Sequence, residues 1–240
     1  MGLLREYIHS LLLEGVMDPG TFKAIFLAGG PGSGKSTAVR KFVMPQNYGL
    51  KIVNVDDVFE LLMKKSIDSG DISNMDMQDD DRENRIKKLK MFNKSKALTK
   101  KRKENFIQGR LGLVIDGTGG AFSTIKNQKK KLEELGYETF MMYVDTTLEA
   151  AMERNIIRGK AGGRRLRDKD VIRSWNAVDK NKLPYESMFG DSIVIIDGGS
   201  TNNPLNKEHA KKIKSFLFAP VNNLVAREWI DNEMSKRSRR

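Results

Sequence analysis

The stretch Gly29-Gly30-Pro31-Gly32-Ser33-Gly34-Lys35-Ser36-Thr37 constrains this chain more than any other. It has the spacing of a phosphate-binding loop: glycine, four residues, then Gly-Lys-Ser/Thr. The apolar run Phe22 to Ala28 precedes it and reads as a buried parallel strand. Ser36 to Phe42 follows without a breaker and reads as a helix. Strand, loop and helix in that order are the context the motif requires. Closely spaced glycines let backbone amides turn inward on a polyphosphate, because side chains would otherwise block them. The amides that open the helix add local positive charge. In such a loop Lys35 reaches the β- and γ-phosphates of ATP, and the Ser36 hydroxyl ligates Mg²⁺.

A chain of 240 residues, 39% of them hydrophobic, can bury one core with small appendages. The absence of cysteine excludes disulfides and thiolate metal sites and makes a cytoplasmic location the simpler expectation. His9 and His209 are far apart, which argues against a histidine-rich zinc site. No apolar run approaches the roughly 18 residues of a membrane span, so no integral membrane contact is expected. A net charge of +12, from 43 basic and 31 acidic residues, favours a polyanionic partner.

Leu3, Leu4, Tyr7, Ile8, Leu11 and Leu12 recur at helical spacing. They predict an amphipathic helix within residues 1–17, its apolar face packed on the body of the protein or docked on a protein partner or a membrane surface. After a turn at Pro45 to Gly49, Leu50 to Val55 reads as a second strand that delivers Asp56 and Asp57 at its end. Asp56 could take the proton of an attacking hydroxyl or serve a structural role. Asp57 could cap the next helix or face an acceptor. Residues 68–81 read as a polar loop. From Arg82 to Arg110 there are 12 Lys/Arg against Glu83 and Glu104, with Ile86, Leu89 and Phe92 at helical spacing. Such a helix can track a nucleic-acid backbone, or it can simply present a solvated face.

Leu111 to Asp116 is the third expected strand, and its terminal carboxylate suits a Mg²⁺-linked or substrate-orienting role. Thr118, in the following glycine turn, can touch a substrate or stabilise the turn. A helix from Ser123 to Leu135 and a strand from Glu138 to Val144 follow. Thr146 and Glu149 have the spacing of a capping box. The helix they open carries Arg154 and Arg158 one turn apart, then runs into the glycine-hinged, basic segment Gly159 to Arg167. That segment reads as a lid at about residues 158–168, whose arginines, Arg164 among them, neutralise phosphates as water is excluded, or else as an exposed basic loop. A helix from Asp168 carries Trp175, which reads as a core residue or as a base-stacking platform; a strand from Ser192 to Ile196 and a helix from Lys207 to Phe218 complete the body. Residues 219–240 form a C-terminal extension with the basic tail Lys236 to Arg240.

Laid out in this way, the chain resembles the P-loop kinase group that includes bacteriophage polynucleotide 5'-kinase and the zeta-toxin kinases. The resemblance spans about residues 22–200. It is carried by the loop Gly29 to Thr37, by Asn54-Val55-Asp56-Asp57 and by Arg154-Asn155-Ile156-Ile157-Arg158-Gly159. It implies a central parallel sheet flanked by helices; with the elements above, the chain reads as a three-layer P-loop NTPase-like α/β fold with a central, mostly parallel five-stranded sheet and a lid, its kinase domain at 18–218 between N- and C-terminal helical extensions. It also implies ATP with Mg²⁺ as donor and phosphoryl transfer to a hydroxyl. The general base of the group falls on Asp56, its acceptor-side aspartate on Asp116, and its lid arginines on Arg154 and Arg158. The polynucleotide kinases carry an arginine three residues after the base; here that position is Phe59.

The resulting expectation is a kinase with Lys35, Asp56, Arg154 and Arg158 in the chemistry, and Ser36 and Asp116 at the metal. Asp57, Asp116, Thr118 and Arg164 are the acceptor-side candidates. A polynucleotide 5'-hydroxyl is the favoured acceptor, bound through residues 82–110 and the basic tail. A nucleotide sugar or other small molecule is the rival acceptor, and an ATP-binding assembly role is the rival from a different class.

Overall fold

Six consecutive residues, Lys23–Ala28, are buried without a break. A strand with no solvent face belongs in the middle of a sheet covered on both sides. In the computed structural model, which describes residues 15–16, 18–77, 81–199 and 204–237, this strand, β1, is the centre of a five-stranded sheet. The others are β2 (Lys51–Val53), β3 (Leu113–Ile115), β4 (Glu138–Asp145) and β5 (Ile193–Asp197), in the order β2-β3-β1-β4-β5. All four pairings are parallel, with Phe26 beside Ile115 and Ala28 beside Tyr143. The expected N-terminal helix within residues 1–17 and the tip of the tail, 238–240, lie outside the described residues.

The helices are α1 (Lys35–Ala38), α2 (Val55–Asp68), α3 (Arg82–Gln108), α4 (Phe122–Glu134), α5 (Leu148–Lys160), α6 (Asp168–Asp179), α7 (Lys182–Phe189), α8 (Pro204–Phe218) and α9 (Leu224–Arg237). Alternate β1 side chains feed two cores. Ala24 and Phe26 pack with Leu132 of α4, Val178 of α6, and Tyr185 and Phe189 of α7. Ile25 and Leu27 pack with Phe42, Val43, and Ile213 and Leu217 of α8. Three layers result, as the sequence implied. A third, small cluster of Phe59, Met63 and Ile72 joins α2 to α3 beside the sheet.

Several elements differ from expectation. β2 stops at Val53 because the Asn54 side chain accepts the amide of Asp56 at 2.7 Å and caps α2. Asp56 and Asp57 therefore stand in the first turn of a helix, where negative charge is favoured, rather than on a strand end. Asp57 does not cap α2. The cap of α5 is Thr147, which accepts from the amide of Ala150 at 3.2 Å, so the expected box from Thr146 is displaced by one residue. Trp175 donates to the carbonyl of Thr146 at 2.9 Å, which ties α6 to that turn. After Ala38 the chain widens into a π-helical turn, Val39–Val43. On α3 the inward stripe is Lys88, Ser95 and Thr99, while Ile86 and Leu89 face solvent. Lys88 turns inward because Asn74 and Asp76 of the preceding loop supply it with acceptors at 3.1 and 2.6 Å. Helix α7 was not anticipated; its Pro184 lies in the first turn, where a missing N–H is no loss.

A candidate nucleotide site at the strand ends

The loop leaves β1 with Gly29 at φ +150° and Gly32 at φ +77°. A Cβ at Gly32 would come within 2.6 Å of the Ala151 carbonyl, and one at Gly29 within 2.7 Å of Ser33 Oγ. Both glycines are therefore required by conformation and by space. Pro31 sits between them, and Gly34, in the left-handed region, opens α1. Lys35 folds back over the loop and donates to the carbonyls of Gly29 at 2.6 Å and Gly30 at 3.1 Å. Burial pulls its ammonium below the usual lysine range, against the opposing pull of Asp116 and Asp56. Ser33 Oγ is buried without a partner, while Ser36 and Thr37 lie exposed in the first turn. An orphan hydroxyl, a lysine held by carbonyls alone and glycine backbone at a helix start suit a polyphosphate.

Arg154 is placed differently from the expected clamp. It donates to the carbonyls of Gly32 and Gly198, each at 2.9 Å, and so braces the phosphate loop against the exit of β5.

The carboxylates gather through Asn54. Its amide donates to Asp116 Oδ2 and to Asp57 Oδ1, both at 2.9 Å, while its backbone carbonyl accepts from Thr99 of α3 at 3.5 Å. Burial pushes the Asp116 carboxyl up to about 6; Lys35 opposes the shift, and Asp56 and Asp57 add to it. Asp57 is likewise raised, by burial and then by Glu60 and Asp56. Asp56 moves the other way: burial is the largest influence and works against ionisation, but the hydrogen bond and charge of Arg164, with the charges of Lys35 and Arg158, together hold the carboxyl below its usual range.

Arg164 grips both oxygens of Asp56, at 2.9 and 2.8 Å, with its guanidinium 5.5 Å above the Phe59 ring. Arg158 pairs with Glu60 of α2. The lid backbone is pinned at its base, where the Asn155 amide exchanges two 2.9 Å hydrogen bonds with Leu166, and farther along where Met77 donates to the carbonyl of Arg165. The segment 161–167 therefore lies folded against α2. Thr118 serves the turn: its carbonyl accepts from Gly29 and its hydroxyl from the Gly120 amide. Asn181 and Tyr185 hold the carbonyls of Gly119 and Gly120 from behind.

Of the residues singled out in the sequence, the structure brings Lys35, Asp56, Asp57 and Asp116 into one electrostatic neighbourhood, with Arg158 and Arg164 on its lid side. Arg154 and Thr118 shape the backbone around it. Asn54, Glu60, Asn181 and Tyr185 were missed. Asn54 had a readable signal, an Asx residue before an acidic first turn, whereas the other three act through contacts that spacing does not encode. Among the described residues no group of three or more His, Cys, Asp or Glu is placed to hold a metal ion. No described helix is long and apolar enough to cross a membrane.

A parallel sheet whose central strand feeds a glycine loop with its lysine at a helix start defines a P-loop NTPase-like protein. Residues 25–178 match the family described as AAA domain, and the chain belongs to that family. No curated protein matches it. Among solved structures, the AvrRxo1-ORF1:AvrRxo1-ORF2 complex with ATP is similar in fold, with a TM-score of 0.58 at 17% identity over 92% of this chain and 75% of that one. A protein of Chloroflexus aurantiacus proposed to be a kinase gives 0.57 at 12% identity, over 82% of this chain and 98% of that one. The PezAT toxin-antitoxin system of Streptococcus pneumoniae gives 0.52 at 16% identity, over 90% and 86%.

Proposed function

We propose that this chain is an ATP-dependent kinase that transfers the γ-phosphoryl group to a hydroxyl of a small anionic acceptor, of the nucleotide-sugar class. The observation that carries this reading is the convergence of Lys35, Asp56 and Asp116 in front of a glycine cradle, under a lid bearing Arg158 and Arg164. Phosphoryl transfer needs little covalent help from a protein; it needs positioning and charge stabilisation, and these residue types supply both. Lys35 and the loop amides hold the donor phosphates. Asp56, ionised beside Arg164, orients the acceptor hydroxyl and takes its proton as the bond forms. The lid arginines neutralise developing charge. Asp57 and Arg164 line the acceptor side.

ATP as donor is supported by the similar fold solved with ATP, and a protein partner by that structure being a two-protein complex. The Asp116 carboxyl at the end of β3 and the exposed Ser36 hydroxyl at the start of α1 are oxygen donors of the kind that would hold a magnesium ion shared with nucleotide phosphates. When bound, that ion neutralises charge on the phosphates.

A polynucleotide 5'-hydroxyl is the second reading, favoured by the exposed lysines and arginines of α3 and by Arg102, whose charge reaches Asp57. γ-Labelled ATP offered with nucleotide sugars and with 5'-hydroxyl oligonucleotides separates the two. Label on the sugar is expected; label on only the oligonucleotide would reverse the order. ATP binding with no acceptor labelled would leave a nucleotide-binding protein and no kinase.

A further inference from the structure

Two lid guanidiniums meet α2, and they are held very differently. Arg164 is 7% exposed, grips both oxygens of Asp56 and lies on the Phe59 ring. Arg158 is 48% exposed and rests on Glu60, through the Oε1 that also lies 3.9 Å from Arg164 Nε. Asp56 and Glu60 stand four residues apart on α2, so one turn presents both carboxylates to the lid. A bidentate, ring-backed guanidinium is hard to displace. A half-exposed contact with one carboxylate is weak, and a phosphate offers the same fork geometry with more charge.

We infer that Glu60 is a positioning residue that parks Arg158 on α2 until a phosphate of bound nucleotide competes for it, while Arg164 stays seated on Phe59 and Asp56. This rests on the nucleotide-binding reading above and adds to it a residue that no motif marks. Each lid arginine then has its own task. Arg164 keeps Asp56 ionised and oriented, and Arg158 is the one that travels. Parking also opposes phosphate binding, because Arg158 must leave Glu60 before it can serve the ligand.

The test is a double-mutant cycle read by titration calorimetry with MgATP, using wild type, Glu60→Gln, Arg158→Ala and the double variant. Glutamine keeps the size of the side chain and an acceptor oxygen but removes the charge. Glu60→Gln is expected to bind ATP about threefold more tightly, Arg158→Ala more weakly, and the gain is expected to vanish in the Arg158→Ala background. Equal affinity of wild type and Glu60→Gln overturns the inference. So does an undiminished gain in the Arg158→Ala background, which would mark a general charge effect. Amide exchange across residues 158–167 without nucleotide supplies a readout independent of binding and of catalysis, and faster exchange is expected in Glu60→Gln. If wild type binds no ATP, the nucleotide reading itself fails; unchanged lid exchange would then separately overturn the hold of Glu60 on the lid.

Discussion

Asn54 and Asp116 are 62 residues apart in the chain, yet the amide of one donates to the carboxylate of the other at 2.9 Å across the ends of β2 and β3. The same amide reaches Asp57, and the carbonyl oxygen of the side chain caps α2. Capping preference alone ranks Asn and Asp together and well above Ala, by about 1 kcal/mol. Like-charge repulsion predicts the opposite order here, because Asn54→Asp sets a third carboxylate against Asp57 and Asp116 and removes both donors. We expect Asn54→Asp to melt no higher than Asn54→Ala at pH 7 and to recover toward wild type near pH 4, as thermal denaturation at the two pH values will show.

Asp116 gives a pH-dependent prediction. Its folded pKa is raised to about 6 from 3.8, so the folded state binds the proton more tightly than the unfolded chain. The contribution of this group to stability is therefore greatest below pH 3.8 and declines as pH rises toward 6. Asp116→Asn removes that decline. The rise from 3.8 to about 6 sets a ceiling of about 3 kcal/mol, which partial exposure reduces to about 1–2 kcal/mol. The variant is expected to be more stable than wild type at pH 7 and no more stable at pH 3.5 in urea titrations, and to lose turnover.

Arg164→Lys tests the fork geometry at Asp56. Lysine keeps the charge but cannot engage both oxygens or stack flat on Phe59. Turnover is expected to fall about tenfold, close to the value for Arg164→Ala, with ATP affinity little changed. A fully active lysine variant would reduce the pair to simple charge balance.

Helix α3 is 27 residues long, about 40 Å, and exposes Lys90, Lys94 and Lys101. If it carries a polynucleotide backbone, changing these three to glutamine should flatten the salt dependence of oligonucleotide binding by a log–log slope of about 2–3. An unchanged slope would leave the helix a solvated surface and the polynucleotide reading without support.

Much of the fold was legible because a buried parallel strand writes itself as an apolar run. Lys23–Ala28, Leu113–Ile115 and Glu138–Asp145 all lie within or along the runs marked in the sequence. The loop was legible because its chemistry is local. What escaped depends on contacts that close over long separations. The pairing of Arg164 with Asp56 joins positions 108 residues apart, and Tyr185 reaches Gly119 from a helix whose pattern is weak. Arg154 and Arg158 looked alike at one-turn spacing. The structure separates them because one faces the carbonyls of Gly32 and Gly198 and the other faces α2. Ile86 and Leu89 misled because a buried lysine, satisfied by loop acceptors, took the inward position.

The seat of the phosphate loop extends past the segment that matches the AAA domain family, which ends at residue 178. Gly198 lies so close beneath the loop that a Cβ there would stand 2.2 Å from the Ser33 carbonyl, and its own carbonyl anchors Arg154. A fragment trimmed to the family boundaries would keep every residue of the glycine motif and lose β5, the floor on which that motif rests. The smallest portion of this chain that keeps the glycine loop on this seat therefore runs at least to Gly198.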